Sequence, residues 1–142
     1  MDSIIIKSID ELDSVAHWLD QEIAATSCSV VALYGAMGAG KTTLISRFTA
    51  LHNAKQQASS PTFAIINTYD TPNITLYHFD FYRIDTVKEI EDLALGEYFY
   101  DTNSISLVEW PEKIEQFLPG DITLRIKIDI TGNDSRKFSV IR

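Results

Sequence analysis

Residues 35–42 read Gly-Ala-Met-Gly-Ala-Gly-Lys-Thr, and no other feature constrains the chain as tightly. The octet fits the pattern G-x-x-x-x-G-K-[ST] without exception. Before it, Val30-Val31-Ala32-Leu33-Tyr34 is a continuous apolar run of strand length, which suits a central strand covered on both faces. After it, Leu44, Ile45, Phe48 and Leu51 recur at helical spacing. A strand, a glycine-rich turn and a helix in that order make a phosphate cradle. The glycines permit backbone angles that turn successive N–H groups inward. The start of the helix adds partial positive charge. Lys41 places a point charge against β- and γ-phosphates, and the Thr42 hydroxyl is a ligand for Mg²⁺. The bland alternative is a glycine-rich turn that binds nothing, but a chance match is on the order of one in a hundred or less in a chain this long. The octet therefore predicts a nucleoside triphosphate, ATP in the first place, held with Mg²⁺ along Gly35, Gly38, Ala39, Gly40, Lys41, Thr42 and Thr43.

The remaining patterns place this loop in one domain spanning residues 1–142. Ile4 to Lys7 reads as a short strand. Ser8 and Glu11 have the capping-box spacing, and the helix they open carries Leu12, Val15, Ala16, Leu19 and Ile23 on one stripe, with His17 and Trp18 off its centre. Phe63 to Tyr69 and Ile74 to Phe79 read as a hairpin across Asp70-Thr71-Pro72-Asn73. Thr86 to Leu95 reads as a short helix closed by Gly96, and Pro111 to Phe117 as a helix begun by proline. Ile105 to Val108 is a buried strand, and Ile122 to Ile130 pairs with Lys137 to Ile141 across residues 131–134. The expected fold class is α/β. It is a P-loop NTPase-like three-layer domain with a mixed, mainly parallel central sheet and antiparallel edge strands.

Charge narrows the partners. The net charge is −8, which disfavours nucleic-acid binding by the whole surface. It is uneven: ten acids and three bases lie between Asp80 and Gly120, whereas three acids and five bases follow from Asp121 to Arg142. Solvated faces explain this; so does an acidic surface meant for a basic partner. The single Cys28 fits a small buried hydrophobe. No apolar run approaches a membrane span, and the Ile4-Ile5-Ile6 triplet is too short for a signal-peptide core. The expectation is a soluble, cytoplasmic protein, monomeric by itself, with no membrane partner.

A phosphate loop of this kind needs an acid at the end of a neighbouring strand. Asp80 ends one apolar run and Glu109 another, so each is a candidate metal ligand or water-orienting group; the plain alternative for either is a solvent-exposed strand end. Thr62, in the loop with Ser60 and Pro61, has the place of a switch threonine that senses the γ-phosphate, or of an ordinary turn residue. Arg83 suits a phosphate, Asp80 or an external ion pair. Trp110 suits stacking on a base or simple packing, and His78 reads as structural or surface polar.

Taken together, residues 35–44, Ser60-Pro61-Thr62-Phe63, His78-Phe79-Asp80-Phe81-Tyr82-Arg83, Leu95-Gly96-Glu97-Tyr98-Phe99 and Leu107-Val108-Glu109-Trp110-Pro111-Glu112 resemble the TsaE family. Those are small bacterial ATPases needed to make threonylcarbamoyladenosine in tRNA. The resemblance spans Gly35 to Glu112. It implies phosphate and Mg²⁺ binding by Lys41 and Thr42, and a switch role for Thr62. It makes Asp80 and Glu109 the metal-side and catalytic acids without saying which is which. Trp110 would border the nucleotide, with Tyr82 and Arg83 on the same wall. It also implies partners: a TsaB–TsaD-type transferase complex that hydrolysis would reset between turnovers, with tRNA reached indirectly. Ala36 departs from the family, which often carries an acid there, and Met37 replaces a common Leu.

Two other functions are open to the loop alone. A small-molecule or nucleotide kinase would add an arginine-bearing lid, and no such insertion appears. A GTPase would read guanine through N-K-x-D, which does not follow the formal D-x-x-G at Asp129-Ile130-Thr131-Gly132.

Overall fold

The structure is a computed structural model and describes residues 2–55 and 65–141. Strand β1 (Ser3–Ile6) leads into a capping box, in which Ser8 and Glu11 bond each other's backbone. Helix α1 (Leu12–Thr26) follows and stops where Ser27 turns left-handed at φ 57°. The predicted stripe is buried. Trp18 is buried with it, so the apolar face of α1 is wider than its periodicity suggests.

Strand β2 (Val30–Tyr34) feeds helix α2 (Lys41–Leu51) through the glycine-rich loop. The hairpin is β3 (Ile66–Asp70) and β4 (Thr75–Asp80). Short helices α3 (Val87–Glu91) and α4 (Gly96–Phe99) lead to β5 (Ser104–Glu109), and β6 (Thr123–Ile130) and β7 (Arg136–Ile141) close the chain. Two expectations need correction. The helix after Thr86 is not closed by Gly96: Ala94 adopts φ 52° and Gly96 begins α4. Pro111 to Phe117 is not an α-helix but two 3₁₀ turns, Pro111–Lys113 and Glu115–Phe117, because Ile114 between them leaves the helical region at φ −130°.

Among the described residues, seven strands form one sheet in the order β1-β7-β6-β2-β5-β4-β3. The four strands β6, β2, β5 and β4 are parallel neighbours. The joins of β3 to β4, β6 to β7 and β7 to β1 are antiparallel. The sheet is thus partly parallel: its centre matches the expectation, and its flanks are antiparallel over more of its width than an edge strand alone.

Alternation along β2 explains the layers. Val31 and Leu33 join a core with α1 and α2 on one face, while Val30 and Ala32 join Phe79, Phe99 and Val108 beneath α3 and α4 on the other. A strand buried on both faces needs apolar residues at every position, and β2 has them. Cys28 is half-buried against the first core rather than wholly inside it. Among the described residues, no helix is long and apolar enough to cross a membrane.

This topology brings the carboxyl ends of three adjacent strands together. Leu33 in β2 and Asp80 in β4 both stand opposite Glu109 in β5. The glycine-rich loop leaves the sheet at the same edge, where open α/β sheets take their ligands.

Candidate functional site

The loop's shape follows from its glycines. Gly38 and Gly40 hold φ of +83° and +106°, angles that an L side chain rarely adopts. Gly40 is the residue from which α2 starts, so the chain reverses tightly before its first helical turn. Ala36, Met37 and Gly38 form the exposed tip, Ala39 is buried beneath, and Thr43 faces outward.

Lys41 opens α2 and is buried, with its Nζ donating to the Gly35 carbonyl at 2.8 Å. The ammonium also lies 3.8 Å from the centre of the Trp110 ring, a cation–π distance. Burial lowers its pKa from the ordinary 10.5, and the negative charges of Glu109, Glu112 and Asp80 oppose that shift. A lysine stripped of water and ringed by carboxylates is suited to exchanging its present contacts for an anion.

The Thr42 hydroxyl donates to both carboxylate oxygens of Glu109, each at 3.0 Å. Glu109 is itself only 3% exposed. Its Oε2 also lies 2.6 Å from His78 Nε2. His78 Nδ1 is buried with no hydrogen-bond partner among the described residues, so a proton there would be stranded. The tautomer that fits carries its proton on Nε2 and donates it to Glu109. Two donors therefore fix one carboxylate at the end of β5.

Asp80 is half-buried at the end of β4, and its Oδ1 accepts from the Tyr82 backbone N–H at 3.0 Å. Tyr82 is exposed and packs its ring on Trp110 at 5.2 Å between centroids. Trp110 turns the chain after β5 with left-handed angles, φ 57° and ψ 49°. A non-glycine residue in that region is uncommon. Here it aims the indole back over the loop. Arg83 is exposed on the segment after Asp80.

The structure thus brings Lys41, Thr42, Asp80, Glu109 and Trp110 to one sheet edge. Thr62 and Ser60 lie outside the described residues. Two buried side chains contribute beyond these candidates. His78, expected to be structural or surface polar, is not on the surface but buried against Glu109; its spacing of two from Asp80 on one strand puts both on one face. Arg136, buried at the start of β7, bonds the loop carbonyls of Ala39 and Gly38 at 3.1 and 3.4 Å. No local pattern marks it, because the contact spans most of the chain.

Fold and site together define an α/β protein whose glycine-rich strand-to-helix loop carries a buried lysine and faces carboxylates at the ends of adjacent parallel strands. The family model described as threonylcarbamoyl adenosine biosynthesis protein TsaE matches residues 6–138. The chain belongs to the TsaE family. It is similar to the tRNA threonylcarbamoyladenosine biosynthesis protein TsaE of Bacillus subtilis (strain 168), with 41% identity over 110 residues that cover 78% of this chain and 67% of the relative. Its likeness to the protein of the same description from Rickettsia felis is 30% identity over 140 residues, covering 97% and 78%. Among solved structures, the crystal structure of YdiB from Bacillus subtilis superposes with a TM-score of 0.71 at 28% identity, covering 97% of this chain and 82% of that one.

Proposed function

We propose that this protein is a P-loop ATPase of the tRNA threonylcarbamoyladenosine machinery, hydrolysing ATP to ADP and phosphate in order to reset a TsaB–TsaD-type transferase complex. The observation that carries the reading is the meeting of Lys41, Thr42 and Glu109 at the mouth of the loop.

The chemistry divides as follows. Loop N–H groups and the start of α2 receive the phosphates, and Lys41 leaves the Gly35 carbonyl to meet their charge. Thr42 and Glu109 offer hard oxygen donors within 3.0 Å of one another, the type that Mg²⁺ takes, so these two would hold the ion. When bound, Mg²⁺ neutralises charge on the phosphates. Asp80, beside Glu109 on the next strand, is the group that orients the attacking water. Thr62 has the switch role on the resemblance alone. Trp110 stands at the lysine end of the loop, so it borders the terminal phosphate and not the base. Gly35, Gly38, Ala39, Gly40 and Thr43 complete the cradle.

Turnover by the isolated protein is slow, because a partner completes the switch of a lone phosphate loop. The partner is protein, not RNA: the stretch from Asp80 to Gly120 carries net −7, and its exposed acids include Glu89, Glu91 and Asp92. The protein acts as a cytoplasmic monomer and reaches tRNA through that complex. The test is tRNA nucleoside mass spectrometry after depletion, with rescue by wild type, Lys41→Ala or Glu109→Ala. The expected result is loss of threonylcarbamoyladenosine, restored by wild type alone. An unchanged modification level on depletion would sink the assignment.

A further inference from the structure

The buried guanidinium of Arg136 is the feature that the proposed chemistry leaves unused. Its side chain spans two segments. Nε donates to the Ala39 carbonyl at 3.1 Å and one terminal nitrogen donates to Gly38 at 3.4 Å. The other terminal nitrogen donates to the carbonyls of Gly132, Asn133 and Ser135 at 3.1, 3.3 and 2.8 Å, all in or beside the turn between β6 and β7. Among the described residues, every acceptor is a main-chain carbonyl. A buried arginine that only knitted the fold together would ordinarily sit against a carboxylate, since an unpaired buried charge is costly. Here, among the described residues, no carboxylate pairs with the charge, which lies directly behind the phosphate loop.

We propose that Arg136 is a positioning residue for the phosphate site. It fixes the peptide planes of the loop and lends the loop positive charge. The role rests on the nucleotide reading above and deepens it. In a trans peptide, the carbonyl of one residue and the N–H of the next point to opposite sides. The Ala39 carbonyl faces Arg136, so the Gly40 N–H faces away from it, toward the side where phosphate is received. Gly40 sits at φ +106°, where its lack of a side chain leaves the plane free to rotate. A bond on the carbonyl side removes that freedom before the ligand arrives, and preorganised donors bind more tightly than mobile ones. The same guanidinium ties the loop to the turn at residues 131–135, so the turn and the phosphate site hold each other in place.

The test compares wild type, Arg136→Lys, Arg136→Met and Lys41→Ala, measuring calorimetric binding of ATP with Mg²⁺ and melting temperature without nucleotide. A lysine keeps the charge but cannot fork to both segments. Arg136→Lys is expected to fold and to bind ATP about tenfold more weakly, the scale of one lost charge-assisted hydrogen bond, and Arg136→Met more weakly still. A purely structural arginine would lower the melting temperature and leave the dissociation constant of the folded protein alone. Binding by Arg136→Lys within about twofold of wild type therefore overturns the role. If Lys41→Ala loses binding while the arginine variants keep it, only the positioning role falls; if wild type itself does not bind ATP, the nucleotide reading falls. Should both arginine variants fail to fold, nuclear magnetic resonance of the wild type decides. The Arg136 Nε–H and Gly40 N–H signals are expected to move together on adding ATP with Mg²⁺. Movement of Gly40 without Arg136 overturns the coupling.

Discussion

The Thr42 hydroxyl stands 3.0 Å from each carboxylate oxygen of Glu109, joining the first turn of α2 to the last residue of β5. Those oxygens are the proposed Mg²⁺ donors. Thr42→Val keeps the side chain's shape and removes the hydroxyl. The Mg²⁺ concentration needed for half-maximal ATP binding should then rise by about tenfold or more. Magnesium titrations of wild type and variant measure this, and coincident curves would remove Thr42 from the metal site.

Glu109 has a second tie, to His78 at 2.6 Å. His78→Gln returns an N–H near the lost Nε2 position, whereas His78→Leu fills the space with no donor. The leucine variant leaves Glu109 short of one buried hydrogen bond, a loss of about 1–3 kcal/mol in whatever state uses it. Partner-stimulated ATP turnover should fall by about tenfold in His78→Leu and by less in His78→Gln. Equal rates in the two variants would mean that His78 fills space and does not orient the carboxylate.

These two ties also mark how far the sequence was legible. The octet at 35–42 named its strand, turn and helix because each residue's role there is local: glycine for positive φ, lysine and threonine at the helix start. Asp80 and Glu109 were visible as acids ending apolar runs, and the parallel register then set them opposite one another. Which of the two meets Thr42 was not visible, since that contact spans 67 residues of chain. Arg136 was hidden for the same reason, as its acceptor at Ala39 is 97 residues away. The 3₁₀ turns at Pro111–Lys113 and Glu115–Phe117 replaced a helix because Ile114 is fully buried at φ −130°. Tertiary packing there outweighs local helical preference.

Glu109→Gln separates charge from shape. The amide can still accept from Thr42 but carries no negative charge for a metal. ATP hydrolysis with partner present should drop by about a hundredfold or more, and the Mg²⁺ concentration for half-maximal ATP binding should rise as it does in Thr42→Val, as expected for a shared metal ligand. Single-turnover hydrolysis beside equilibrium binding tests this. Slowed hydrolysis with an unchanged magnesium dependence would remove Glu109 from the metal site.

Lys41 gives the site an alkaline limit. Burial lowers its pKa below 10.5 in the folded chain, so the ligand-free protein binds fewer protons there than the unfolded chain does. Its stability contribution is present above 10.5 and is lost as pH falls toward the lowered value. Phosphate needs the charged ammonium, so ATP affinity runs the other way and declines as pH rises within that same window. Lys41→Arg, which stays charged, should bind with no such decline. Dissociation constants measured from neutral pH to 10.5 decide it, and an equally flat profile in wild type would show that Lys41 does not titrate early.

Trp110 offers an optical report of the same lysine. The ammonium lies 3.8 Å from its ring, and the second tryptophan, Trp18, is buried in α1. With Trp18→Phe, emission comes from Trp110 alone. ATP with Mg²⁺ draws the ammonium toward phosphate and places anionic oxygens beside the indole, so emission should change and saturate with ATP concentration. Lys41→Ala removes the cation from the start; its ligand-free spectrum should already differ from that of the Trp18→Phe protein, and ATP should no longer alter it. If ATP binds by calorimetry yet Trp110 emission stays constant, the indole does not border the phosphates, and its contact with Lys41 is packing alone.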